Sequence, residues 1–232
     1  MVNSKVSTRA EIITRRTYCR PIDEENDVFE TWTDVCSRVI NHQQWLWERA
    51  KDSKLNESEL KELEELRQLM LERKVSMSGR TLWLGGTEIA KRREASQFNC
   101  AHLKIETVYD ITDALWLLLQ GCGVGFSPRV GTLSGFSDHI KELEIVPSRR
   151  TSKGGVANNK ETWDKSSRVW TIRIGDSAEA WAKSIGKLLA GKHKATKLVL
   201  DFSQLRPSGL RLSGYGWISS GSEPITKAYE AI

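Results

Sequence analysis

Between residues 98 and 127 the sequence pattern changes twice within thirty residues, and this constrains the architecture more than any other feature. Cys100 to Ile105 reads as extended, Asp110 to Gln120 repeats apolar residues at helical spacing, and GCGVGFS at 121–127 alternates glycine with larger residues. A strand, a helix and a tight turn in direct succession predict an α/β fold. Glycines at 121, 123 and 125 predict backbone N–H groups open to an anion or a sugar hydroxyl. Cys100 sets a thiol at the start of the same unit. By itself that thiol reads first as a small core residue, and a lone glycine pattern of this kind identifies no ligand.

The flanking sequence predicts further elements. Residues 1–10 are polar and expected to fray, and EIITRRTYCRPID at 11–23 reads as a short strand or extended arm ended by Pro21. From Val28 to Ala50 apolar residues recur at helical spacing. Asn56 with Glu59 resembles a capping box, followed by a stripe of Leu60, Leu63, Leu66 and Met70, which predicts a second helix with a solvated charged face. Three glycines around Leu-Trp-Leu predict a loop at 78–93. Residues 131–168 read as mixed and polar, with a mobile basic loop, SRRTSKGG, at 148–155. A helix is expected from Asp176 or Ser177 through Leu189, with Trp181, Ile185, Leu188 and Leu189 on its buried side. A strand follows at 197–203, then a glycine- and serine-rich loop at 205–224 and the start of another helix.

Bulk properties narrow the class. The formal charge of +5 comes from 35 basic and 30 acidic residues interspersed along 232, which favours a nucleotide over a long nucleic acid. The nine tryptophans mostly sit at helical or strand spacing and read as core. Four cysteines, at 19, 36, 100 and 122, have neither metal-ligand spacing nor the density of a secreted disulfide scaffold, and suit a reducing cytoplasm. No apolar run approaches the length of a membrane span, and the N-terminus lacks a signal-like core.

Five segments, in this order, resemble the N-terminal part of the monomeric, adenosylcobalamin-dependent (class II) ribonucleoside-triphosphate reductases. They are RRTYCR at 15–20, SGRTLWLGGT through FNC at 78–100, LLLQGCGVGFS at 117–127, GDSAEAWA at 175–182 and KLVLDFSQLRPSGLRLSGYGWISSGSEP at 197–224. The resemblance implies an N-terminal helical region over 1–77, followed over 78–232 by the first part of a ten-stranded α/β barrel, incomplete in this chain. It implies that Cys100 is one of two thiols that reduce the ribose and end as a disulfide. Asn99, Gly121, Cys122, Gly123, Val124, Gly125 and Ser127 would lie by the substrate, a ribonucleoside triphosphate. Val108, Asp110, Asp113, Leu119 and Arg129 would belong to the regions where a deoxynucleotide effector sets substrate choice. Arg149, Arg150 and Lys153 join them as phosphate contacts on charge grounds, with a solvated cluster as the alternative.

Two positions depart from the family pattern: Cys122 stands where better-known members carry glycine, and Gly-Trp-Ile at 216–218 replaces Gly-Gly-Thr. An Asn-Pro-Cys-Gly-Glu radical-cysteine motif is absent from the sequence. The resemblance therefore implies that the adenosylcobalamin site, the partner of Cys100 and the reloading cysteine pair lie on a complementary C-terminal chain, with a thioredoxin-like reductant. An incomplete barrel is also expected to leave the isolated chain marginally stable. A non-catalytic nucleotide- or effector-binding fragment is the alternative, and a nucleic-acid-binding module is a weaker third.

Overall fold

A computed structural model describes residues 6–23, 27–129, 133–137, 139–212, 215 and 217–232. The chain divides into two compact units, residues 1–98 with 214–216, and residues 99–213 with 217–232. The expected fraying of residues 1–10 falls partly outside the described residues, as does Gly216.

The first unit is helical. Residues Thr8–Thr17 form α1, where an arm was expected. The Ile-Ile-Thr run favours a strand, but Ser7 caps the first turn, Glu11 lies in that turn, and Arg15 and Arg16 lie in the last, so caps and charges match the helix dipole. A short hairpin, β1 (Pro21–Asp23) with β2 (Val28–Phe29), leads into α2 (Trp32–Lys51). The sequence places the start of α2 four residues too early, because Thr31 with Asp34 forms the capping box. Asn56 and Glu59 form the expected box on α3 (Glu57–Leu71). Val35, Cys36, Val39, Leu63, Met70 and Leu82 make the shared core. Leu60 belongs instead to the exposed side, at 43%.

The segment 78–93 is not a loop. Ser78 and Thr87 cap two short helices, α4 (Gly79–Leu84) and α5 (Glu88–Arg92), separated by Gly85 and Gly86 and too short for a helical period to register. Leu82 enters the helical core, so this segment packs with the first unit and the two units divide after Phe98. Arg38 fastens it: its guanidinium grips Glu30 at 2.7 and 2.8 Å and donates to the carbonyls of Leu82 and Gly85. Both charged side chains are mostly buried, at 14% and 12%. Arg38→Met is expected to cost about 3 kcal/mol, because it strands a buried carboxylate and two carbonyls. A urea midpoint unchanged from that of the parent chain would refute this.

The second unit holds two sheets. A parallel pair, β3 (Cys100–Ile105) and β4 (Gly123–Pro128), is joined by α6 (Val108–Leu119). A four-stranded sheet has the order β5-β8-β7-β6, from β5 (Glu142–Val146), β6 (Lys160–Asp164), β7 (Val169–Arg173) and β8 (Lys197–Asp201). The helices α7 (Ala178–Ala190) and α8 (Glu223–Ala231) complete the unit. Its core collects Trp170, Ile172, Leu198, Leu200, Phe202, Ile185 and Tyr229. Ser177 caps α7, and Trp181, Ile185, Leu188 and Leu189 pack as expected.

The stretch 131–168, read as mixed and polar, contains β5 and β6. Both are edge strands with only alternate residues shielded, so neither shows an apolar run. Charges stand on the open face, where Lys197 pairs with Glu142 and Glu144 at 2.7 and 2.8 Å. The basic loop is likewise tied down. Ser148 donates to the carbonyl of Leu205, the Gly155 and Val156 amides donate to Gln204, and Arg150 donates to the carbonyl of Ser203. The described residues show mixed α/β structure in separate sheets of two, two and four strands, and the expected ten-stranded barrel is not displayed among them.

Candidate functional site

In β3 the alternation CAHLKI exposes Cys100, His102 and Lys104 and shields Ala101, Leu103 and Ile105. A parallel neighbour needs a crossover, which α6 supplies. Strand pairing then sets Cys100 opposite Gly123, His102 opposite Gly125 and Lys104 opposite Ser127. These six residues share one open face.

The run Gly121 to Ser127 does three different jobs. Gly121 turns the chain out of α6 at φ +85°, a left-handed conformation suited to glycine. Cys122 is buried at 4% exposure, its amide donating to the carbonyl of Leu117. Gly123 onward is strand, not an open cradle. The Gly123 amide donates to the carbonyl of Asn99 at 2.8 Å, and that of Arg129 to the carbonyl of Ile105. By the two-residue repeat, the amides of Gly125 and Ser127 also point at β3, so these amides are not the ligand-facing donors expected from sequence. The glycines instead keep the Cys100 face clear. A Cβ on Gly123 would stand 4.0 Å from Cys100 Sγ, and one on Gly125 would stand 3.5 Å from His102 Cδ2.

That clearance makes a prediction. An alanine Cβ at residue 123 meets only ordinary contact distances, 3.7 Å from the Asn99 carbonyl and 4.0 Å from Cys100 Sγ, so the fold should tolerate it, whereas Gly123→Val fills the strip beside the thiol. Gly123→Val is expected to slow alkylation of Cys100 by a bulky maleimide about tenfold, a loss of roughly 1.4 kcal/mol at the barrier. An unchanged rate would show that the strip does not give access to the sulfur.

None of the four thiols is in a disulfide, and they differ in setting. Burial pushes Cys36 up to about 11. Burial and, after it, the nearby Glu30 carboxylate also raise Cys19. Cys100 alone is exposed. Beyond it on the same face, Lys104 pairs with Glu106 at 2.7 Å, and Arg129 lies 3.9 Å from that carboxylate.

The residues expected at an effector site lie on separate elements. Val108 is buried at 1% and Leu119 is half-buried, while Asp113 and Arg129 are exposed. Asp110 caps α6, accepting from the amides of Thr107 and Glu106 at 2.7 and 3.0 Å. Those bonds, led by the one from Glu106, hold its carboxyl below the usual range. In the 148–155 loop Arg149 and Lys153 are exposed, but Arg150 spends its guanidinium on Ser203, Lys153 and Gln204.

Sequence reasoning missed two features. His102, whose Nε2 lies 3.4 Å from Ser127 Oγ, was detectable by counting two residues on from Cys100. The Asp176–Arg206 ion pair, at 2.7 Å and mostly buried, joins residues thirty apart and has no local signal. Among the described residues, no helix is long and apolar enough to cross a membrane.

A family model described as the ribonucleotide reductase alpha domain matches residues 3–87. A second, described as the insertion domain of B12-dependent ribonucleotide reductase, matches residues 146–232. The chain is 27% identical to the adenosylcobalamin-dependent ribonucleoside-triphosphate reductase of Lactobacillus helveticus, over 93% of this chain and 34% of that protein. It is 24% identical to that of Euglena gracilis, over 96% and 29%. A crystal structure of a B-12 dependent (class II) ribonucleotide reductase superposes with a TM-score of 0.68 at 25% identity, covering 92% of this chain and 35% of that one. The chain spans about a third of the length of the curated relatives it matches. Two matched domains, curated relatives and a solved structure agree: the chain is similar to the N-terminal part of the B12-dependent (class II) ribonucleotide reductases.

Proposed function

We propose that this chain supplies the substrate-facing thiol of a ribonucleoside-triphosphate reductase. The observation that carries the reading is the exposed Cys100 at the head of β3, beside a strip of β4 from which Gly123 and Gly125 remove every Cβ. A ribose lies along that strip with its 2'-carbon by the sulfur. Cys100 and a second thiol each give up one electron and one proton to the sugar, water leaves, and the two sulfurs join as a disulfide. The reloading cysteine pair of the complementary chain then reopens it by exchange, and an external dithiol of the thioredoxin type reduces that pair in turn. Ser127 and the outward amides of Val124 and Phe126 are the polar groups of β4 that orient the sugar, and Cys122 is an inert packing residue.

Adenosylcobalamin supplies the radical that opens such a reaction. The described face does not fit that group: the strip is only two strands wide, too narrow to bury a corrin ring. A deoxynucleotide effector is proposed to contact α6, Arg129 and the exposed Arg149 and Lys153, with Arg150 holding the loop. The setting proposed is cytoplasmic.

The test mixes this chain with the remaining two-thirds of the L. helveticus relative, adenosylcobalamin and dithiothreitol, and measures deoxynucleotide formation. Turnover that requires both chains supports the reading. Deoxynucleotide binding by calorimetry without turnover would instead support the non-catalytic effector-binding alternative.

A further inference from the structure

We propose that two copies of this chain pair by exchanging α1, each copy laying that helix in the groove between α2 and α3 of the other. The inference is independent of the thiol chemistry. Arg9, Ile12, Ile13 and Arg16 fall at helical spacing on one stripe of α1. That stripe faces outward. Ile12 and Ile13 are 59% and 46% exposed, and both arginines are exposed with them. The helix is anchored by its other side, where Thr14 is buried and accepts from the Arg73 guanidinium at 3.0 Å. Arg15 pairs with Asp27, but Arg9 and Arg16 meet no carboxylate among the described residues.

The groove carries the complementary pattern. It is an open trough of about 640 Å³, with Leu46 and Trp47 of α2 and Leu66 and Leu69 of α3 along it and Glu62 and Glu65 beside them. Glu62, Glu65, Leu66 and Leu69 recur at i, i+3, i+4 and i+7, so acidic and apolar side chains share a stripe, as basic and apolar ones do on α1. Both glutamates are exposed, and among the described residues neither meets a cation. The stripes also match in length, each covering seven residue steps, roughly 10 Å at 1.5 Å per residue.

A ten-residue helix is marginal in water by itself, and its two outward isoleucines add nothing to the shared core. Docking takes them out of water against leucine and tryptophan, while the arginines and glutamates come together. Helix and groove belong to the same unit, so each copy offers both halves of the contact. Reciprocal exchange about a two-fold axis then closes the pair.

The test is sedimentation velocity on the 232-residue chain. Over about 1 to 200 µM at low salt it should show a dimer with a Kd on the order of 10 µM, the weak end expected of a small interface. Glu62→Arg with Glu65→Arg, and separately Arg9→Glu with Arg16→Glu, should each weaken pairing about tenfold or more, because like charges then meet. Mixing the two double variants should restore pairing to within about threefold of the parent, since both contacts of the mixed dimer again set opposite charges together. Ile12→Ser probes the apolar half separately and should weaken pairing about fivefold. A chain that stays monomeric over the whole range overturns the proposal, as it would if the groove served another protein's helix. So does a dimer unmoved by Ile12→Ser, or one whose charge-reversed variants, folded by circular dichroism, pair no better mixed than alone.

Discussion

Cys100→Ser is expected to reduce nucleotide reduction in the two-chain assay by at least ~10³-fold, roughly 4 kcal/mol at the transition state. Serine keeps the size of the side chain but cannot share a disulfide, so the two-electron step has no donor on this chain. The same substitution should leave the unfolding midpoint within about 0.5 kcal/mol of the parent, because the side chain is exposed and no packing is lost. Deoxynucleotide binding should also survive. Activity of Cys100→Ser above a tenth of the parent's would remove Cys100 from the chemistry. A collapse of stability would instead make it a structural residue.

Phe202→Ala is expected to cost about 3–5 kcal/mol, the usual range for truncating a buried aromatic. Phe202 follows β8, is 0% exposed and packs against Tyr229 of α8, with ring centroids 6.3 Å apart. A typical domain has only 5–15 kcal/mol of net stability. The variant should therefore lose much of the hydrogen-exchange protection of the β8 amides. Leu60→Ala, on the exposed side of α3, should change stability by less than about 0.5 kcal/mol. Equal losses for the two variants would contradict the assigned core.

What could be read from sequence was what local chemistry specifies. The Asn56–Glu59 box, β3, α6, α7 and β8 all lie where caps and unbroken periods place them. The reading failed where a distant partner decides. Edge strands β5 and β6 look polar because only one side is covered, and α4 and α5 are too short to show a period. The helix α1 lost to a β-branched run, although Ser7 and the flanking charges marked it.

The thiol site divides in the same way. Sequence alone determined that Cys100 begins a strand, that a helix follows, and that glycine spaces the next segment, because each depends on neighbours in the chain. Only the tertiary structure decided what those glycines are for. Parallel pairing turns the Gly123 amide into β3 and sets both strand glycines opposite Cys100 and His102. Register between strands twenty-three residues apart is a property of packing, since shifting it by one residue would move every side chain to the other face.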